Sequence, residues 1–86
     1  MPVISTFFGI VIRMFYQEHG VPHFPAEHQG QQASFLFSGD LLAGEIRSSV
    51  ARRLIAEWAA LHRSDLEANW GKMKAGHALE RIAPLE

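Results

Sequence analysis

Three histidines, His19, His23 and His28, fall within ten residues of one another and are flanked by Glu18 and Glu27. Imidazole is the side chain whose ordinary titration lies nearest neutrality, so such a group suits acid–base chemistry or metal ligation. The spacing argues against a metal. Gaps of four and five residues, interrupted by Pro22 and Pro25, cannot be laid along one helix as zinc-protease histidines are. No cofactor and no metal are therefore expected. A second feature is Arg13, a cation inside the apolar run Gly9 to Tyr16. A guanidinium there is either paired with an acid or presented on a sheet face as an anion clamp, because an unpaired buried charge is costly. Arg47, Arg52, Arg53 and Arg63 form a third group. They could contact nucleic-acid phosphates, but Glu57 stands four residues after Arg53, where an ordinary helix-surface ion pair forms.

The elements that position these residues follow from hydrophobic patterning. Gly9 to Gln17 reads as a strand, central and covered on both faces, since only Arg13 breaks its apolar character. Val3 to Phe8 fits a short strand or an extended arm. His19 to Pro25 reads as a loop, because Gly20, Pro22 and Pro25 interrupt regular structure. Ala26 to His28 begins another strand, Gln29-Gly30-Gln31 turns the chain, and Ala33 to Ser38 returns. Leu41 to Ala43 makes a short edge strand ending at Gly44. The period then changes. Val50, Leu54, Trp58 and Leu61 lay one stripe down a helix capped by Ser48 or Ser49. A capping box from Ser64 to Glu67 opens a second helix, with Leu66, Trp70 and Met73 on one side and Gly76 as its stop. Leu79, Ile82 and Leu85 form a closing tail that packs back. Strands first and helices after predict an α+β domain: a small antiparallel sheet of three to four strands, covered on one face by two C-terminal helices. Both tryptophans turn inward, and the histidine segment lies at the rim.

Composition bounds the rest. The 86 residues make one domain, 1–86. Eight Lys and Arg against nine Asp and Glu give a net charge of −1, which disfavours a strongly electropositive nucleic-acid binder. With no cysteine there is no disulfide, Cys-type zinc site or thiol nucleophile. A phosphate-cradling glycine loop and a nucleophile elbow are also missing. No apolar run approaches the roughly 20 residues needed to span a bilayer, and the start lacks the basic region of a signal peptide, so the expected location is the cytoplasm. A domain this small buries only about 60–68% of its unfolded-chain surface, which makes stabilisation by a partner or by homo-oligomerisation worth expecting.

Met1 to Ser5, Phe8 to Met14, Pro22-His23-Phe24, Glu57-Trp58-Ala59 with Leu61-His62, Leu66 to Trp70 and Ile82 to Leu85, in this order and spacing, form a recognisable pattern. It resembles the small bacterial family catalogued as domain of unknown function 4160, nearly end to end. The family is often encoded beside a second small protein, which implies a two-gene toxin–antitoxin module with this family as the toxin. On that resemblance the chain is expected to be a toxin-like component acting on RNA and neutralised by its neighbour-encoded partner. A metal-independent ribonuclease would use His23 as acid or base, His19 as its counterpart and Arg13 as the phosphate-stabilising cation. One group removes the 2′-hydroxyl proton and the other protonates the leaving oxygen. The family loop usually reads Pro-His-Phe-His, with two histidines on the same side of a strand; here Pro25 stands in the second position. That departure favours the alternative, a non-catalytic protein- or DNA-binding interaction module.

Overall fold

A computed structural model describes residues 2–16 and 18–86. Five strands, β1 (Val3–Phe7), β2 (Ile10–Arg13), β3 (His23–His28), β4 (Gln31–Leu36) and β5 (Leu41–Gly44), form one antiparallel meander in sequence order. Two helices follow, α1 (Ser49–Leu61) and α2 (Arg63–Ala75). The α+β architecture is the expected one, but the sheet has five strands rather than three to four. The extra strand is β1, which the sequence left open between strand and arm.

Two tight turns set the register. Phe8-Gly9 joins β1 to β2, and Gln29-Gly30 joins β3 to β4; all four residues have positive φ, from 47° to 78°. Two consecutive positive-φ residues make the turn whose twist matches that of paired strands. Trp58 of α1 packs on Phe7 (5.6 Å) and edge-on to Phe24 (5.6 Å, 78°) on the sheet's inner face. Ile10, Ile12, Ala26, Ala33 and Phe35 complete that face, each buried. The opposite face has no covering layer among the described residues. Val11 and Arg13 on β2 are only half-buried there, so β2, expected to be central and covered on both faces, lies between β1 and β3 next to the sheet's edge strand and is covered on one side only. Its regular part also ends at Arg13, and Gln17, the end expected from sequence, lies outside the described residues.

Proline at position 25 falls inside β3, where a loop was expected. Pairing explains why it is tolerated. The pair His28↔Gln31 closes a two-residue turn and is hydrogen-bonded, and pairs then alternate, so Pro25↔Ser34 requires no N–H from Pro25. The missing donor faces β2 instead, and the β2–β3 ladder stops at Ile12↔Ala26, one step before it would be needed. His23 is thereby the first residue of a strand.

The helices also differ in detail from expectation. Ser48 caps α1, its Oγ accepting the Ala51 N–H at 3.1 Å. The buried stripe is Ala51, Ile55, Trp58 and Ala59, while Val50 and Leu61 are exposed at 53% and 69%. Alanines let the helix approach closely: an added Cβ on Gly39 in the β4–β5 turn would sit 2.9 Å from Ala56 Cα. For α2 the expected Ser64 cap does not form. His62 serves as C-cap of α1 and N-cap of α2 at once, with no side-chain cap bond. Gly76 ends α2 in the left-handed region (φ 74°), as expected.

Candidate functional site

The three residues with expected catalytic roles occupy two environments. His23 opens β3 with its ring against Trp70 (centroids 5.5 Å apart). Its Nδ1 lies 2.8 Å from the Val21 carbonyl oxygen, and its Nε2 lies 3.4 Å from Glu18 Oε2. A neutral ring can donate to only one of these acceptors, whereas the imidazolium donates to both. Trp70 in turn stands edge-on to Phe37 at 6.0 Å. Lys74, one turn along α2, lies over the Trp70 ring at 5.5 Å and donates from Nζ to the Glu18 carbonyl at 2.9 Å. The segment between β2 and β3 is thus strapped to the last turns of α2.

Beside that strap lies a groove of about 660 Å³, lined by Tyr16, Glu18, His19, Met73, Lys74, Ala75 and Gly76. His19 is exposed within it. Glu18 is the shared neighbour: it contacts the His23 ring and precedes His19 in the chain. His19 and Glu18 both line the groove, but among the described residues no hydrogen bond or ion pair joins His19 to Glu18 or to His23. Among those residues, no group of three or more His, Cys, Asp or Glu side chains gathers into a metal-holding set.

Arg13 belongs elsewhere. It lies on the uncovered face of the sheet with Nε 3.3 Å from Glu27 Oε1, within ion-pair distance but not aligned as a hydrogen bond. Glu27 Oε1 also accepts from Gln32 Nε2 at 3.1 Å. Of the two readings of Arg13, the acid-paired one is what the structure contains. The arginine group is likewise engaged within the chain. Arg52 donates to the carbonyls of Ile46 (2.6 Å) and Arg47 (2.7 Å), tying down the approach to α1. Arg47 faces Glu45 at 3.4 Å, Arg53 faces Glu57 at 4.0 Å, and Arg63 faces Glu67 at 3.7 Å. These surface pairs contribute little to stability, but they interleave opposite charges where a phosphate-binding face would concentrate one sign.

A different surface is unsatisfied. All four residues of β5 are exposed, Leu41 at 51% and Leu42 at 45%. β5 ends the sheet, and among the described residues no strand pairs with its far side. Natural edge strands are usually blunted by charge or proline; Leu41-Leu42-Ala43-Gly44 carries neither. Asp40 and Glu45 stand immediately before and after it.

Sequence reasoning missed Asn69, a buried side chain (2% exposed) whose amide holds both backbone groups of Glu80. Its helical spacing from Leu66 and Met73 was the available signal, because a polar residue on a core stripe must have partners. Glu18 and Trp70, which hold His23, lay in plain view but were read only as a flanking acid and a core aromatic.

Taken together, the class is a five-stranded antiparallel meander roofed by two consecutive helices, with a histidine–carboxylate contact at its rim and one open edge. The family model described as Domain of unknown function (DUF4160) matches residues 9–71, and the chain belongs to that family. The resembling segments at residues 1–5 and 82–85 fall outside the matched stretch. No curated protein and no solved structure matched the chain. No helix among the described residues is long and apolar enough to cross a membrane.

Proposed function

We propose that this chain is a non-catalytic interaction module of a bacterial two-gene pair, binding its neighbour-encoded small partner by adding one of the partner's strands to β5. The observation that carries the reading is the bare β5 edge with Leu41 and Leu42 turned to solvent. Backbone groups on such an edge supply affinity, and alternate side chains supply specificity. The acidic residues on either side, Asp40 and Glu45, fit an aliphatic strand with basic flanks. The intramolecular pairing of Arg13, Arg47, Arg52, Arg53 and Arg63 favours a protein partner over RNA or DNA. Co-expression with the adjacent gene product should yield a stable complex, and Leu42→Lys should weaken it at least tenfold by isothermal titration. Full affinity in that variant would refute docking on β5.

A second reading, the toxin-like ribonuclease, draws on one observation: an imidazole 3.4 Å from a carboxylate beside an open groove. In it, His23 and His19 exchange protons with RNA, and Arg13 would have to leave Glu27 to reach a phosphate. His23→Ala separates the readings. On the interaction reading, growth and total-RNA integrity match the wild type when the chain is expressed without its partner. Partner-reversible growth arrest with cleaved RNA, abolished by His23→Ala, would replace the first reading with the second.

A further inference from the structure

Residues 77–86 contain no helix or strand, yet they are held firmly, and the polar contacts that hold them read main chain. Asn69 donates from Nδ2 to the Glu80 carbonyl at 2.8 Å and accepts the Glu80 N–H on Oδ1 at 3.0 Å. The Trp58 indole N–H donates to the Ala83 carbonyl at 2.9 Å. The Ile82 N–H donates to the Ile4 carbonyl of β1 at 2.7 Å. Between these anchors the Ile82 side chain is buried in the core, and Leu79 and Leu85 pack against it. Lys72 Nζ meets Glu80 Oε2 at 2.7 Å. The receptor for this segment is spread over β1, α1 and α2. Its covalent link to that receptor is the exposed stretch Gly76-His77-Ala78.

Nothing in this contact set requires the segment to come from the same polypeptide. We propose that the groove between β1 and the helices also takes residues 79–85 of a second copy, so that two chains exchange closing segments in a two-fold dimer. The occupant is defined by the seat itself, which the chain's own segment fits atom for atom; a second copy brings the same atoms. The hinge governs the choice between the closed and exchanged forms. Gly76 turns the chain back with φ 74°, and the His77 N–H bonds to the Lys72 carbonyl at 2.8 Å. A Cβ on Gly76 would meet nothing within 4 Å, so alanine has room there but not that φ. Gly76→Ala therefore favours continuation of α2, which carries the segment away from its own groove and toward a neighbour's. Exchange of an identical element is a low-cost route to a two-fold dimer, because every contact is kept.

The Lys72–Glu80 ion pair supplies the test in the native chain. Unlabelled and ¹⁵N-labelled protein are denatured together, refolded at high concentration, separated by size and treated with a carbodiimide, which joins this amine and carboxylate as an amide. Mass spectrometry then reports whether Lys72 and Glu80 of each linked peptide come from one chain or two. A dimer fraction whose Lys72–Glu80 links are half mixed-label is the expected result, with that fraction rising severalfold in Gly76→Ala. A chain that is monomeric at every concentration with same-label links only overturns the proposal. So does a dimer with same-label links only, since two closed copies would then be meeting through another surface. If Gly76→Ala does not fold, the wild-type labelling result decides alone.

Discussion

The two edges of the sheet are built in opposite ways. At β1 the chain closes its own edge: the Ile82 N–H reaches the Ile4 carbonyl, and Trp58 and Asn69 fix the neighbouring backbone at Ala83 and Glu80. At β5 four exposed residues face solvent with two leucines among them. A chain able to cover one edge with its own residues has left the other bare, although a charge or a proline would have blunted it. The difference separates an edge that this sequence covers with its own residues 79–85 from one left open to a foreign strand.

That contrast can be broken, starting from the closed edge. Trp58→Ala removes the side chain that joins sheet, helix and closing segment, and should lower unfolding free energy by about 3–5 kcal/mol in urea denaturation. A loss under about 1 kcal/mol would mean that the β1 edge is held by other contacts. Asn69→Ala leaves the Glu80 backbone groups without partners and should cost about 1–3 kcal/mol. It should also speed proteolysis within residues 77–83 relative to the wild type, and unchanged cleavage would separate Asn69 from the segment's order. Leu42→Lys, at the bare edge, should shift stability by no more than about 0.5 kcal/mol, since its side chain packs on little. A large loss there would make β5 part of the folding core and erase the distinction between the edges.

Much of the frame was legible in the residues. Gln29-Gly30-Gln31 announced a turn, Ser48 or Ser49 a cap, Gly76 a stop, and Trp58 an inward-facing ring, because each depends on local chemistry. What escaped depended on pairing across the chain. Pro25 reads as a breaker until the register shows that its absent N–H is needed only on the β2 side, beyond the end of that ladder. Val50 and Leu61 continue the Leu54–Trp58 period, yet the helix is rotated so that Ala51 and Ala59 face inward. Small residues carry too little hydropathy to announce that choice. His19, His23 and Arg13 were close enough in sequence to suggest one site. The outcome turned on acids that sequence distance does not rank: Glu18 holds His23 at the rim, and Glu27 holds Arg13 on the uncovered face.

The meander also sets an order of assembly. Every strand pairs with its immediate neighbour in the chain, so loop closure for the sheet is short and its formation should be rapid for a β-rich domain. The contact between Ile4 and Ile82 is the opposite case, joining residues 78 positions apart. During synthesis the hairpins can pair while residues 77–86 are still within the ribosome, leaving the β1 flank raw until that segment emerges. Closure of that flank then follows formation of the sheet, and the interval between the two is when a nascent chain is most exposed to mispairing with its neighbours.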